Sequence, residues 1–407
     1  MTLPTPLSRP LNKTLLATTI AATIAATLAG HAAATESFNG KTMAMSGAGV
    51  ANAHYSHGVI LNPANAVRYH ETDDFNLNLN VGAVGSDEDD LIDNADQLAN
   101  QLDALGNLTT ATDTAELAAI NTTLENLKQA QANLVAGANI TVGIPSKQVA
   151  AVFFVNVIGG IEAATLIAQS DIDQIDQLIQ DIDNSNPNPG LDVDDLSSRV
   201  SATGLMMREI GISFGKEVDF RGQPIAVGIT PKHQRVETIV YSETIANIDS
   251  DNFDADQFTV DDSHVNLDLG VSTHWERLFA GLSITNLISH DFATVDPSRS
   301  VTIEPQATAG VGYFTGWGNV AFDLDLNPIQ YLGSGDDVQF AKLGAEVNIY
   351  RTVQLRVGYR HDLEDTLDDT LSLGFGLSPF DVVNLDIAAM KGGSDTLGVA
   401  LQLGLSF

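Results

Sequence analysis

Four groups of side chains in this 407-residue chain have the types and spacing of reactive or ligand-binding sites. Gly211-Ile212-Ser213-Phe214-Gly215 fits the G-x-S-x-G pattern, in which a serine nucleophile sits on a sharp turn between a strand and a helix. Here Ile210, Ile212 and Phe214 alternate with small or polar residues, and nothing helical follows before Pro224, so Ser213 reads as a strand residue. His54 and His57 lie three apart with His70, Glu71 and Asp73 downstream, and imidazoles with carboxylates are zinc ligands. That spacing serves a helix face and the segment has no helical period, so these histidines read as surface or interior residues. Asp249, Asp251, Asp254 and Asp256 offer oxygen ligands to a divalent cation, but their loop lacks the glycine and bidentate glutamate of an EF-hand. Finally, a turn at Tyr350-Arg351 that sets Ile349 opposite Val353 would set Glu346 opposite Arg356 as a cross-strand charge pair. No catalytic residue, dedicated metal site or cofactor is expected.

These groups need elements to position them, and composition limits what those elements are. The chain has 52 acidic and 19 basic side chains, a formal net charge of -33, and no cysteine. So acidic a chain would be repelled by nucleic acid and by an anionic membrane surface. Without cysteine there is no disulfide framework, thiolate nucleophile or Cys-ligated metal. Yet 44% of residues are apolar and the mean hydropathy is +0.05, too apolar for an acidic disordered chain.

Residues 1–34 contain no acidic group; Arg9 and Lys13 precede an apolar stretch from Leu15 to Leu28 and then Ala32-Ala33-Ala34. That order is the layout of a secretory signal peptide, and 14 apolar residues are too few to span a bilayer core of ~30 Å. Cleavage after Ala34 would leave 373 residues with net charge -35. Beyond it, the longest apolar run, Val149 to Val155, is the length of a strand.

From residue 75 the dominant pattern has period two. Phe75, Leu77, Leu79 and Val81 alternate with Asn76, Asn78 and Asn80, and Val399, Leu401, Leu403, Leu405 and Phe407 alternate with Ala400, Gln402, Gly404 and Ser406. Alternate side chains share one face of a strand, so each segment has an apolar face and a polar or small one. Fourteen such segments centre near residues 79, 140, 153, 211, 227, 268, 282, 309, 322, 344, 356, 374, 386 and 402. Short connections alternate with a set that holds all the long ones, such as 83–135, 160–204 and 240–262, which is the asymmetry of an outer-membrane barrel. A soluble β-sandwich also alternates. Small residues on the polar face, the lack of a helical layer over the apolar face, and the collection of 25 of the 52 acidic groups in 86–135, 160–204 and 249–262 favour the membrane.

The expected fold is therefore an all-β transmembrane barrel of about 14 antiparallel strands over residues 75–407. Charge at the lipid midplane costs about 2–4 kcal/mol for Arg, so Asp268, Asp323, Asp325, Glu346, Arg356 and Arg360 should face the lumen. They would form either a stiffening ladder or a polar constriction. Two insertions, about 87–135 and 160–204, carry helical periods: Leu91, Ala95, Leu98, Leu102 and Leu105, then Leu117, Ile120, Leu124, Leu127 and Leu134, and in the second Ile172, Ile175, Ile179 and Ile182. Asp171, Asp173, Asp176, Asp181 and Asp183 would form the second helix's outer face. The insertions would be solvated helical loops, a cap, or a docking surface for an envelope protein.

Residues 37–69 follow neither period and read Met43-Ala44-Met45-Ser46-Gly47-Ala48-Gly49-Val50-Ala51 and later Asn62-Pro63-Ala64. This small-residue run with a later N-P-A resembles the inward-folded start of FadL-type long-chain fatty-acid transporter barrels. With Asp89-Asp90-Leu91-Ile92-Asp93 and Leu355-Arg356-Val357-Gly358-Tyr359-Arg360, the chain resembles the outer-membrane family called conjugal transfer protein TraF, and is set apart from the thioredoxin-like protein of that name by its lack of cysteine. The terminal Phe407 is similar to the assembly signal of outer-membrane barrels. The resemblance implies residence in the outer membrane of a Gram-negative bacterium, contact with its lipid, and a hatch over residues 35–74 with Met43, Gly47, Gly49, Asn62, Pro63 and Ala64 as its ligand or hatch residues. Glycine and alanine suit a hatch because backbone can approach a wall closely where there is no bulky side chain. Asn62-Pro63-Ala64 reads equally as an ordinary rigid turn before the first strand. The implied function is passive, hatch-gated uptake of a small apolar molecule; the alternative is a surface assembly component of conjugal transfer that transports nothing.

Overall fold

The computed structural model describes residues 38–70, 73–88, 90–106, 114–128, 130–186, 191, 195–245, 255–330, 337–350, 352–379, 382–393 and 396–407. The expected signal peptide, Glu71 and Asp249, Asp251 and Asp254 lie outside these residues.

Fourteen strands form a closed barrel in which each pairs antiparallel with its neighbours in sequence. They are β1 (Asn76–Glu88), β2 (Gln131–Ile144), β3 (Ala150–Leu166), β4 (Arg199–Phe220), β5 (Gln223–Thr244), β6 (Thr259–Trp275), β7 (Leu278–Thr285), β8 (Gln306–Phe314), β9 (Gly318–Asp325), β10 (Phe340–Ile349), β11 (Val353–Asp362), β12 (Thr370–Leu377), β13 (Val383–Gly392) and β14 (Thr396–Ser406). β1 closes against β14, with Asn80 opposite Gln402. All fourteen centres of alternation fall inside these strands. Leu385, Ile387, Leu401 and Leu403 face outward and are exposed, while Asp386, Ala388, Ala400 and Gln402 are buried in the lumen. Trp275, Trp317, Tyr350 and Phe407 stand exposed near the short turns, as in an interfacial aromatic girdle. Among the described residues no helix is long and apolar enough to cross a membrane; the strands make the crossing.

The strands differ in height. β4 and β5 have 22 residues each, roughly 70 Å at ~3.3 Å per residue, whereas β7 has 8. A crossing needs about 9–11 residues, so the outer ends of β2 to β5 project past the apolar belt. On that projection sit α3 (Leu91–Gly106), α4 (Thr114–Asn126) and α5 (Gln169–Asp183). Leu98, Leu117, Leu124 and Ile175 share one core with Ala132, Ala163 and Val200 of the strands and with Ile245 just past β5. The insertions thus form a cap whose apolar faces are already covered. Two residues differ from the helical reading. Leu134 belongs to β2, because that strand starts at residue 131. Asp171 is buried rather than on an outer face, and accepts hydrogen bonds from the Ser197 and Ser198 amides and hydroxyls at 2.6–3.1 Å. Burial opposes its ionisation, but these bonds hold its carboxyl below the usual range.

One joint in the wall is imperfect. Pairing between β4 and β5 lapses where Ile212 and Ser213 lie opposite Thr230 and Pro231. Proline has no N–H for the ladder. The Ser213 and Thr230 hydroxyls, both buried and 2.7 Å apart, bridge the gap instead.

Candidate functional site: a plugged lumen

Residues 38–70 fold inside the barrel as two short helices, α1 (Gly40–Ala44) and α2 (Tyr55–Gly58), and a 3-10 turn, Pro63–Val67. Asn39 caps α1, its Oδ1 accepting from the Lys41 and Thr42 amides. After α1, Ser46 and Gly47 have φ of 53° and 89°, the left-handed conformation glycine tolerates. What admits so much backbone is the wall. Its lumenal glycines face the plug directly: Gly137 faces Phe38, Gly143 faces Tyr55, Gly228 faces Pro63, Gly281 faces Ala51 and Gly344 faces Met45. An ideal Cβ at Gly228 would lie 2.2 Å from the Pro63 carbonyl carbon, and one at Gly270 1.9 Å from Asn62 Oδ1. Small residues on the inner strand faces are the seat of the plug.

Polar anchors fix the seating. Asp323 Oδ2 accepts from the Gly49 and Val50 amides at 2.7 and 2.9 Å. Asn62 Oδ1 accepts from the Ala64 amide and its Nδ2 donates to the Val50 carbonyl, both at 2.9 Å, so Asn62-Pro63-Ala64 is a rigid turn wedged against β5 and β6. Ser46 and Ser372 hydroxyls lie 3.0 Å apart. The register sets Glu346 opposite Arg356; Arg356 donates to Glu346 at 2.6 Å and to Asp386 at 2.7 Å, and Lys41 Nζ is 3.9 Å from Asp386. A second network joins Lys232 to Glu209 at 3.0 Å and Asp268 at 3.1 Å, and a third joins Lys342 to Asp325 at 3.1 Å. Asp386, Glu209, Lys232 and Lys342 escaped the sequence reading. Asp386, Glu209 and Lys342 stand at alternate lumenal positions of recognised strands, which is the signal that would have found them; Pro231 next to Lys232 obscured the continuation of β5.

The lumen differs on the two sides of the plug. Toward the short turns is a cavity of about 900 Å³, lined by Lys41, His57, Asn78, Asn348, Arg356 and Asn384 among others. Toward the long loops is an apolar chamber filled by packed side chains: Phe38 and Met43 from the plug, Leu205, Val236 and Met390 from the wall. Two hairpins fold over it from above. Residues His290–Ala293 with Ser300–Ile303 contribute Phe292 and Ile303, and Ile329–Gln330 with Asp337–Val338 contribute Ile329 and Val338. Arg360 stacks on Phe340 at 4.5 Å at the chamber's edge.

The other sequence motifs have structural places. Ser213 lies within continuous β4, bonded to Thr230, with no elbow. His54, His57 and His70 gather on the plug, the His54 ring centroid 6.2 Å from that of His57 and 5.1 Å from that of His70, and His54 Nε2 is 3.6 Å from Asp73. Among the described residues they do not converge as a metal site. Burial pushes the His54 imidazole down to about 4 despite Asp73, and drives His57 well below its usual range. Gly47 faces the Lys342 side chain, and Met43 is buried in the chamber floor. Phe407 exchanges backbone hydrogen bonds with Phe75 at the foot of the closing seam.

The chain is a fourteen-stranded antiparallel barrel with an apolar exterior and a lumen filled by its own N-terminal segment. Solved structures share that fold. The Ralstonia pickettii toluene transporter TbuX aligns with TM-score 0.52 and 11% identity over 92% of this chain and 99% of its own. The Pseudomonas putida toluene transporter TodX gives 0.51 and 11% over 91% and 97%, and a Pseudomonas aeruginosa FadL homologue gives 0.50 and 10% over 93% and 99%. The chain belongs to the family described as "F plasmid transfer operon, TraF, protein", whose sequence profile matches residues 59–325. No curated protein matches it.

Proposed function

We propose that this chain is an outer-membrane channel that passes a small apolar molecule without energy input, by movement of its lids and plug. The observation that carries this reading is the apolar cluster packed inside a membrane barrel. A lumen built only for water or ions has no use for Phe38, Met43, Phe292 and Phe340 packed together above a polar vestibule. The fold likeness to barrels titled toluene transporters agrees with it. The long loops then face outward, the vestibule faces the periplasm, and the plug divides them. The acidic cap is a solvated surface whose charge is screened by salt or divalent cations.

Ser46→Cys with Ser372→Cys would lock plug to wall, since the two hydroxyls lie 3.0 Å apart. Cells making this variant are expected to take up a labelled monoaromatic hydrocarbon at the rate of cells lacking the barrel, and to recover when a reductant opens the disulfide. Uptake by unsubstituted protein no faster than by barrel-free cells sinks the proposal.

The family description favours a second reading, in which the barrel is an assembly component of conjugal transfer and the cap contacts an envelope protein. Deleting residues 91–126 should then abolish capture of that protein and leave hydrocarbon uptake unchanged.

A further inference from the structure

The outer rim carries a cluster that the passage does not use. His264, near the outer end of β6, and His290, at the start of one lid hairpin, stack with ring centroids 4.6 Å apart and planes 10° from parallel. Phe292 meets both rings edge-on, at 5.4 and 4.7 Å. His290 Nε2 lies 3.1 Å from Asp262 Oδ2, and His264 Nε2 lies 3.1 Å from Asn266 Nδ2.

The surrounding hydrogen bonds set the protonation of His264. Asn266 Oδ1 accepts from the Leu267 and Ile288 amides, and its Nδ2 donates to Gln234 Oε1 and the Ile288 carbonyl. Nδ2 carries two hydrogens and no acceptor lone pair, so at 3.1 Å it can only share one of them with His264 Nε2, which faces it as an acceptor with the ring proton on Nδ1. That Nδ1 is buried and has no hydrogen-bond partner. A second proton on His264 would oppose the Asn266 donor and leave neither ring nitrogen with an acceptor. His290 differs, because its Nε2 lies 3.1 Å from the Asp262 carboxylate, an acceptor for its N–H. The other charges facing the pair are Lys232, tied to Glu209 and Asp268 below it, and His233 and Arg235 of β5, Arg235 being paired with Asp261. Asp291 of the lid accepts from Thr302. Acid thus charges two rings in face-to-face contact, with one carboxylate between them.

We propose that His264 and His290 are an acid-released latch, which holds the lid hairpin over the apolar chamber while His264 is neutral and frees it when both rings carry a proton. Of the hairpin's ties to the wall, the half-exposed His290–Asp262 contact gains charge in acid but is screened by solvent, and the others are neutral, such as the Thr238 hydroxyl to the Ala293 carbonyl at 2.8 Å and the packing of Phe292 and Ile303. The role rests on the reading that the chamber is the passage.

Because the chain has no cysteine, one introduced thiol can be labelled alone. Ile303→Cys places it beneath the lid and Ser298→Cys at the exposed tip of the same hairpin. The ratio of their labelling rates with a methanethiosulfonate reagent cancels the effect of pH on the thiol. Between pH 7.5 and 5 this ratio is expected to rise at least tenfold with His264 present and less than twofold in a His264→Phe background, which keeps the stack and cannot be protonated. Hydrogen exchange of amides 286–303, corrected for intrinsic rates, makes the same comparison without cysteine. A flat ratio, or an equal rise in the His264→Phe background, overturns the latch. Lid opening in cells that take up no hydrocarbon overturns the transport reading and leaves the latch standing.

Discussion

Replacing Gly228 with alanine is expected to unseat the plug without disturbing the barrel. The new Cβ would lie 2.2 Å from the Pro63 carbonyl carbon, 2.3 Å from the Ala64 nitrogen and 2.4 Å from the Pro63 oxygen. All three are backbone atoms of a turn braced by Asn62, so none can escape by rotating a side chain. Ordinary contact begins near 3.4 Å, so the turn must retreat by roughly 1.2 Å, the difference of the two distances, within the range of overpacked sites. Such overpacking costs about 1–3 kcal/mol; at a factor of ten per ~1.4 kcal/mol, the unseated fraction rises roughly 5- to 150-fold. β5 meanwhile keeps its pairing with β4 and β6 around residue 228. The assay is ion conductance of the purified barrel in planar bilayers, normalised to the band that migrates compactly before boiling. Gly316→Ala is the control, since nothing lies within 4 Å of its ideal Cβ. If Gly228→Ala conducts no more than native protein or the control, the view that the wall glycines seat the plug is wrong.

Other outcomes follow from the same contacts. Arg356→Ala leaves Glu346 without its cation and Asp386 with only Lys41 at 3.9 Å, and should lower barrel stability by about 3–5 kcal/mol, read as the temperature at which the compact band is lost; Glu346→Gln should cost less. Ser213→Ala strands the buried Thr230 hydroxyl and should cost about 1–3 kcal/mol while leaving hydrocarbon uptake intact, whereas an esterase activity lost with Ser213 would revive the nucleophile. His54 and His57 are held neutral by burial, so an unseated plug binds more protons than a seated one below the ordinary histidine pKa of about 6.5, and seating weakens as pH falls. For His54 the loss continues down to about 4, at up to about 1.4 kcal/mol per pH unit, and conductance should rise over that window in native protein and less in His57→Phe. Asp171 is also displaced downward, but, against its burial, by hydrogen bonds that favour its charged form: its contribution to the cap is full above the ordinary carboxylate pKa and fades as pH falls through the lower folded value. Asp171→Asn should therefore speed amide exchange in α5 at neutral pH.

Strand positions were legible because lipid on one face and a crowded lumen on the other impose strict alternation, which Leu401 and Gln402 obey as plainly as Phe75 and Asn76. Strand ends were not. Beyond the belt the outward face meets helices at Ala132, Ala163 and Val200 and the side chains of Tyr241 and Phe258 at Ala202, while Leu205 packs in the lumen, so residues 204–207 are all buried and the period vanishes. Asp171 shows the same limit in a helix: an aspartate on an amphipathic pattern reads as solvated unless its partners, here Ser197 and Ser198, can be seen. In the plug, Ser46-Gly47 and Asn62-Pro63-Ala64 announced tight backbone, but not which wall glycines receive it. Those pairings join residues more than 160 apart, such as Pro63 and Gly228. The His264 and His290 stack likewise depends on a loop folding back over the rim, which no local period records.

The first plug helix touches both margins of the sheet. Asn39 donates to Asn80 of β1, the Lys41 amide donates to Gln402 of β14, and Lys41 Nζ approaches Asp386 of β13. Every other joint in the barrel links strands adjacent in sequence and can form as a hairpin, but the β1–β14 joint must gather the two ends of the sheet across more than 300 residues, the pairing with the largest loop-closure entropy. α1 spans that joint like a clasp, and its leash to β1 is short. During biogenesis the N-terminal segment is therefore a mandrel on which the sheet closes, so a chain lacking it should complete its hairpins and yet be slow to become a cylinder.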